Sequence, residues 1–424
     1  MNDSCSSPSS VITNLPVRQN LSAAVSAAYA QGCGGAVIVL KVSDLTQINH
    51  WHGYEAGDKV IEAVMNRIEP YLSEGYFLSR LGGGHFLIFL RADQGEGVLE
   101  NRVDHLMSGV SSPIDFGGEA LLIRCTAGVS LLPNEAEVTD KLIRNAELAL
   151  GSAKVGRYAF YTEALQENLA SEAEIRSALV GALDRAEFFL VYQPQFCIKT
   201  RQAVAVEALL RWQSPSLGLV PPDRFIPVAE STGLMPELGD WILKTACGQA
   251  SQWLMAGEPL RVAVNISAAQ LEDPEFARRV QEILAECRLP SSWLELEVTE
   301  SMLVGPIQDV QTALQEIRRA GVKLAIDDFG TGYSNLAYLQ HFVFDTLKID
   351  RLFTNAVLET RAGDVLVKAI IAMGMELGLE IVAEGVETED QKGALEALGC
   401  SRMQGYLFSR PVTAEKIPLS RVSE

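Results

Sequence analysis

In a chain of 424 residues, Glu207, Glu297, Asp327, Asp328 and Glu384 each stand at the polar end of a short apolar run. Lys348 stands at the end of another, and the remaining runs close on Gln193, Asn265 and Gln404. The barest case is VKLAIDDFGTGYSN, residues 322–335, where an apolar run meets two adjacent acids and then breaks at Gly330 and Gly332. Carboxylates a few ångströms apart repel by on the order of 1 kcal/mol or more, even at a generous effective dielectric. If these five share one cleft, a single lysine and an asparagine cannot neutralise them. Either several are protonated, or divalent cations sit among them, and metal is the favoured reading.

The donor types select the ion. His50, His52, His85, His105 and His341 are absent from these positions, as are all seven cysteines. An all-oxygen set suits Mg²⁺ or Mn²⁺ rather than zinc or copper. Asp327, first of the adjacent pair, is placed to bridge two ions. Two ions about 3.5–4 Å apart suit cleavage of a phosphodiester. Taken singly, each residue has a plainer account: a solvated strand end, a turn at Asn265, an ion pair of Lys348 with Asp350, a chain reversal at Gly330 and Gly332. Eight runs ending alike outweigh those accounts together.

Positioning such a set requires a repeated element. From residue 186 onward, short apolar runs recur at 188–195, 202–212, 260–267, 293–301, 322–328, 344–350, 379–387 and 402–408. Helical spacing fills 236–256, 274–288, 306–320, 361–378 and 389–398 between them. Eight alternating units predict a (β/α)8 barrel, whose active site lies at the C-terminal strand ends.

The earlier part follows another grammar. Strand-like runs at 36–42, 76–81, 85–90 and 120–132 mix with helical patterns at 56–72 and 138–154, and RLGGGHF marks a hairpin. This predicts an α+β domain. The expected division is a disordered leader and first helix (1–34), the α+β domain (35–161), a stiff helical connection (162–185) and the barrel domain (186–424).

Composition narrows the class. A hydrophobic content of 48% with 21% charged residues describes a globular protein, and no apolar run reaches the length of a membrane span. The net charge of −19 argues against broad binding of nucleic acid or anionic membrane. Seven dispersed cysteines with no CxxC pair, and a start without a signal peptide, point to reduced thiols in a cytoplasm.

The motifs also resemble a known family. VEALLRW, VNIS, LEVTES, DDFGTGYSNL, LKID, VAEGVE and QGYLFSRP occur in the order of the EAL domain, over positions 186–415. The resemblance implies a bacterial phosphodiesterase that hydrolyses cyclic di-GMP to pGpG. Carried over by position, it implies metal ligation by Glu207, Asn265, Glu297, Asp327, Asp328 and Glu384. Lys348 would orient the attacking water, Gln404 would support the same centre, and Gln193 and Arg211 would hold substrate. Glu300 would pin the loop that begins at Asp328, and Glu387 belongs to an acidic pair of the family. Ser214 and Ser401 depart from the family at a histidine and an aspartate, neither of them a ligand.

Residues 35–161 resemble a GGDEF domain, the diguanylate cyclase fold, with its chemistry removed. Gly84 and His85 stand where that family has two acids, and Lys41 replaces its other metal-binding aspartate. The product-binding RxxD is replaced at 73–76 by SEGY. Asn49 and Asp58 match the guanine-recognising pair, which would allow GTP to regulate the chain. They are also ordinary turn and helix-cap residues, and a structural or dimerising role for the domain is the stronger reading. The leading expectation is a metal-dependent cyclic di-GMP phosphodiesterase that forms a homodimer. The alternative is a receptor that binds cyclic di-GMP without cutting it and signals to a protein partner. A bifunctional cyclase and phosphodiesterase is opposed by Lys41, Gly84 and His85.

Overall fold

Strand β1 (Gly34–Val42) shows how the first unit is built, because its residues are buried on both faces. Alternate side chains separate into two cores, Ala36, Ile38 and Leu40 on one side and Val37 and Val39 on the other. The computed structural model describes residues 15–71, 76–92, 96–132, 139–304, 307–330 and 344–417. The expected disordered leader before residue 15, residues 73–75 of the SEGY stretch, Gly332 and His341 lie outside the described residues.

Unit 1 runs to Ser171 and unit 2 from Glu172. Unit 1 contains α1 (Leu15–Ala30), β1, α2 (Leu45–His52), α3 (Tyr54–Ile68), β2 (Phe77–Gly82), β3 (His85–Ala92), α4 (Glu96–Val110), β4 (Ile114–Phe116), β5 (Glu119–Leu121), β6 (Cys125–Leu131), α5 (Thr139–Ser152) and β7 (Tyr158–Phe160). A five-stranded sheet has the order β2-β3-β1-β6-β7. Only β6 and β7 pair in parallel; the others are antiparallel. The expected hairpin is present, and Gly82, Gly83 and Gly84 turn it with φ of 106°, 53° and 81°. The single strand expected over 120–132 is two, β5 and β6, because Leu122–Arg124 leave the ladder between them. The helix expected over 162–185 is shorter: α6 (Glu163–Leu179) gives way to turns through Ala186.

Unit 2 contains β8 (Phe188–Cys197), β9 (Gln202–Ser214), β10 (Gly218–Val220), α7 (Pro222–Ser231), α8 (Met235–Met255), β11 (Arg261–Asn265), α9 (Ala268–Leu271), α10 (Phe276–Cys287), β12 (Leu294–Thr299), α11 (Ile307–Arg319), β13 (Lys323–Phe329), β14 (Thr346–Ile349), α12 (Arg351–Glu359), α13 (Arg361–Glu376), β15 (Glu380–Ala383), α14 (Glu389–Ala397) and β16 (Arg402–Met403). The order β9-β11-β12-β13-β14-β15-β16-β8 closes on itself through β8–β9 pairing, and β10 extends β9 outside the ring. The eight-stranded barrel is therefore present, with one departure from regular (β/α)8 order. β8 runs antiparallel to both of its neighbours, β9 and β16. No helix separates β8 from β9; the turn Ile198–Arg201 does, so alternation fails at the first unit.

Candidate metal centre and active site

The antiparallel first strand changes how the site is assembled. Gln193 and Glu207 are not at strand ends but in the middle of β8 and β9, directly opposite each other. The end rule holds on β11 and β13: Asn265 ends β11 and pairs across to Glu297, while Asp327 and Asp328 lie near the end of β13. Lys348 lies within β14, and Glu384 and Gln404 follow β15 and β16 directly.

Hydrogen bonds tie several of these together. Asn265 Nδ2 donates to Glu207 Oε1 at 2.8 Å, and Gln404 Nε2 donates to Glu207 Oε2 at 2.6 Å and to Gln193 Oε1 at 3.2 Å. Gln193 Nε2 in turn donates to the Ser409 carbonyl at 3.2 Å. Both oxygens of Glu207 are thus aimed by neutral amides that add no charge.

Lys348 is the cationic hub. Its ammonium is 2.7 Å from Glu384 Oε1, 2.9 Å from Glu297 Oε2, 3.1 Å from Asp327 Oδ2 and 3.8 Å from Glu207 Oε2. The Lys348 and Glu297 side chains are each 1% exposed. One positive charge against the four acids it touches leaves a formal −3 in this cluster of described residues. The consequence is a set of displaced protonation equilibria. Burial, with Glu207, Asp327 and Glu384 nearby, holds the Glu297 carboxyl well above its usual range despite Lys348. Burial raises Glu384 to about 8, with Asp327 and Glu207 adding and Lys348 opposing. Burial works against the Lys348 ammonium, yet the surrounding carboxylates carry it well above the ordinary lysine value.

The adjacent acids have a structural explanation. β13 and β14 slip register between Ile326 and Phe329, and Asp328 has φ of 53°. Such a bulge re-aims side chains and is tolerated by aspartate better than by branched residues. Asp327 is buried and accepts from the Asp328 N–H at 2.9 Å, while the Asp328 side chain is exposed. Partial burial of its carboxyl, then Asp327, raises Asp328. Immediately beyond, the Gly330 N–H donates to Glu300 Oε2 at 3.0 Å.

The remaining expected residues are more dispersed. Arg211 is half-buried on β9 and donates to the Leu210 carbonyl at 2.8 Å; burial lowers its guanidinium, opposed by Tyr406 and Glu207. The Glu387 side chain is exposed, and its backbone N–H donates to Gln391 Oε1 at the start of α14. In unit 1, Asn49 lies on α2 and exposed Asp58 on α3, and Asn49 Oδ1 is buried without a hydrogen-bond partner. The motif spacing did not single out Tyr406 and Arg410, yet the guanidinium lies 4.3 Å from the Tyr406 ring centre. The signal available was the aromatic–cation pair within QGYLFSRP.

Comparison with known proteins places the barrel. The EAL domain family matches residues 176–411. The chain belongs to the EAL family. A second match, to the diguanylate cyclase GGDEF domain, covers residues 11–157, so a GGDEF domain precedes the EAL domain. The cyclic di-GMP phosphodiesterase NbdA of Pseudomonas aeruginosa is 38% identical over 400 residues, 93% of this chain and 50% of NbdA. The bifunctional diguanylate cyclase/cyclic di-GMP phosphodiesterase MucR of the same organism is 34% identical over 414 residues, 96% of this chain and 60% of MucR. The chain spans about half the length of the curated relatives it matches. Among solved structures, the PaMucR phosphodiesterase complexed with c-di-GMP is 42% identical, with a TM-score of 0.56, covering 57% of this chain and 99% of that one.

The EAL domain's donors fit a divalent cation. Glu207, Glu297 and Asp327 each offer a carboxylate oxygen within 4.8 Å of the others. Glu297 Oε1 is buried without a hydrogen-bond partner, and Oε2 faces the Lys348 ammonium at 2.9 Å. A fully buried carboxylate with unfilled acceptor sites is costly unless a cation or proton meets it. With oxygen donors only, Mg²⁺ and Mn²⁺ are the natural occupants.

Proposed function

We propose that this chain hydrolyses cyclic di-GMP to pGpG at the barrel mouth, using two Mg²⁺ or Mn²⁺ ions. The observation that carries the reading is the buried triad Glu207–Glu297–Asp327, with Glu297 Oε1 left without a partner and one lysine shared among the acids. Glu207, Asn265, Glu297, Asp327, Asp328 and Glu384 are the residues that would hold the ions. When bound, such ions withdraw charge from the phosphodiester and make water acidic enough to attack phosphorus near neutral pH.

The chain's own groups supply orientation and proton control. Lys348 stands among four carboxylates and orients the attacking water, while Gln404 and Asn265 hold Glu207 in one rotamer. Gln193 and Arg211 hold substrate, the guanidinium facing phosphate oxygens. Glu300 pins the backbone after Asp328. Glu387 is assigned the acidic-pair role that the family resemblance implies. Attack at phosphorus breaks one P–O3′ bond, and the proton lost by water ends on the leaving hydroxyl, giving linear pGpG.

The GGDEF domain is read as incapable of synthesis. Holding a triphosphate through Mg²⁺ needs carboxylates, and Lys41, Gly84 and His85 stand in their place. It serves as scaffold, or as a regulator in which Asn49 and Asp58 recognise GTP. The protein is read as cytoplasmic and homodimeric; among the described residues, no helix is long and apolar enough to cross a membrane.

The test is turnover of cyclic di-GMP by the purified chain with Mg²⁺ or Mn²⁺. Formation of pGpG that Glu207→Ala abolishes supports the reading. Tight binding without turnover under either metal, in folded protein, establishes the receptor instead. Cyclic product from GTP overturns the dead-cyclase reading.

A further inference from the structure

Glu295 and Thr346 form a polar tie one layer beneath the acidic centre. Glu295 stands two residues before Glu297 on β12, and Thr346 two before Lys348 on β14. Alternate residues of a strand share a face, so both side chains lie on the face that carries the site, one layer deeper in the barrel. Each is 1% exposed. The Thr346 hydroxyl donates to Glu295 Oε1, and Glu295 Oε2 lies 3.6 Å from Arg261 Nη1. Both oxygens are therefore met, unlike Glu297 Oε1 above them. Strand β13 runs between β12 and β14, so the tie passes over it. The β13 residue directly opposite Thr346 is Ala325, fully buried, and its methyl leaves room for the carboxyl to cross.

We infer that Glu295 and Thr346 are positioning residues, whose tie fixes Lys348 against Glu297 and thereby shapes the cation site. The need for such a tie comes from the bulge. Regular pairing of β13 with β14 stops at Ile326–Leu347 and resumes at Phe329–Ile349, so Lys348 falls within the slip. The ladder on that side does not set its height. A side-chain bond from the residue two before Lys348 to the residue two before Glu297 spans the same pair of strands and supplies that constraint. Arg261 on β11 steadies the carboxylate, and it has a second acid to hold it, Glu380 Oε2 at 3.1 Å. Supporting hydrogen bonds of this kind commonly change metal affinity or activity about 10–100-fold. The role presupposes the metal-dependent barrel mouth proposed for this chain.

The experiment measures Mn²⁺ binding to the full chain by electron paramagnetic resonance, with kcat and KM for cyclic di-GMP and the unfolding midpoint in EDTA alongside. Thr346→Val leaves a buried carboxylate oxygen without its donor, so the midpoint falls. Mn²⁺ affinity and kcat are each expected to drop about tenfold with KM unchanged, and Thr346→Ser to restore both. Glu295→Leu combined with Thr346→Val removes both polar partners, which lets the midpoint recover while affinity and kcat stay low. The double variant decides the question even where Thr346→Val does not fold. Wild-type affinity and kcat in that double variant would make the tie a matter of stability alone and overturn the assignment. So would a Thr346→Ser as impaired as Thr346→Val. A wild-type chain that binds no Mn²⁺ fails at an earlier point: it removes the metal-centre reading, and the positioning role with it.

Discussion

Lys348 Nζ lies 2.9 Å from Glu297 Oε2, two buried groups on strands separated by β13. The barrel thus keeps one fixed cation inside its acidic centre. Removing one partner of a buried pair leaves uncompensated charge, at a cost of about 3–5 kcal/mol. Lys348→Met is expected to lose stability on that scale in EDTA, measured by urea unfolding, and to lose turnover. A loss under about 1 kcal/mol would contradict the reading of Lys348 as a buried cation that its acidic neighbours depend on.

Protonation of Glu384 makes the metal-free barrel sensitive to pH. Its folded value, about 8, exceeds the ordinary 4.5, so the folded state holds a proton that the unfolded chain releases. The associated stability is full below about 4.5 and is lost as pH rises through about 8. In EDTA the Tm should fall between pH 6 and 9. With saturating Mg²⁺ the slope should flatten, because the ion takes the proton's place. A Tm in EDTA that rises over this range contradicts the assigned direction.

Glu300 accepts from the Gly330 N–H at 3.0 Å, two residues after Asp328. Removing a group that orients a ligand usually costs about 10–100-fold in activity or metal affinity. Glu300→Ala should lower kcat by that factor with little change in Tm, and Glu300→Gln, which retains an acceptor, should recover most of it. Equal loss in both variants would mean that the charge matters and the hydrogen bond does not.

Two glycines near the β6–α5 contact should respond with opposite signs. A Cβ on Gly128 would meet the Ala146 carbonyl oxygen at 2.0 Å and the Leu150 nitrogen at 2.1 Å, both backbone atoms that cannot step aside. Gly128→Ala should destabilise the chain by about 1–3 kcal/mol or more. Gly151 has open space around its missing Cβ, and Gly151→Ala should stabilise α5 by up to about 1 kcal/mol. Thermal unfolding of the two variants checks both signs, and a neutral Gly128→Ala would mean that β6 and α5 can separate.

Much of the barrel was legible in residue order alone. Apolar runs of strand length mark strands whatever surrounds them, and seven of the eight strands run in the direction a parallel barrel requires, although Gln193 and Glu207 proved to be mid-strand. Helix starts were local as well: Thr388 with Gln391 caps α14 through neighbouring backbone. The direction of β8 was not legible. Gln193 and Glu207 become neighbours by facing across an antiparallel pair, and an apolar run has no mark for which way its neighbour travels. The bulge at Asp327–Asp328 was hidden too, since a register slip is a property of two strands.

Residue types by themselves settled the kind of site: oxygen donors in excess of cations, with no imidazole or thiolate among them. Chain folding settled which of those donors meet. It brought Glu207, Glu297 and Asp327 within 4.8 Å, left Asp328 exposed, and set Lys348 among four acids. Identity along a chain determines charge and donor chemistry, which are local. Mutual distance and burial determine how strongly those charges act, and only strand closure supplies them.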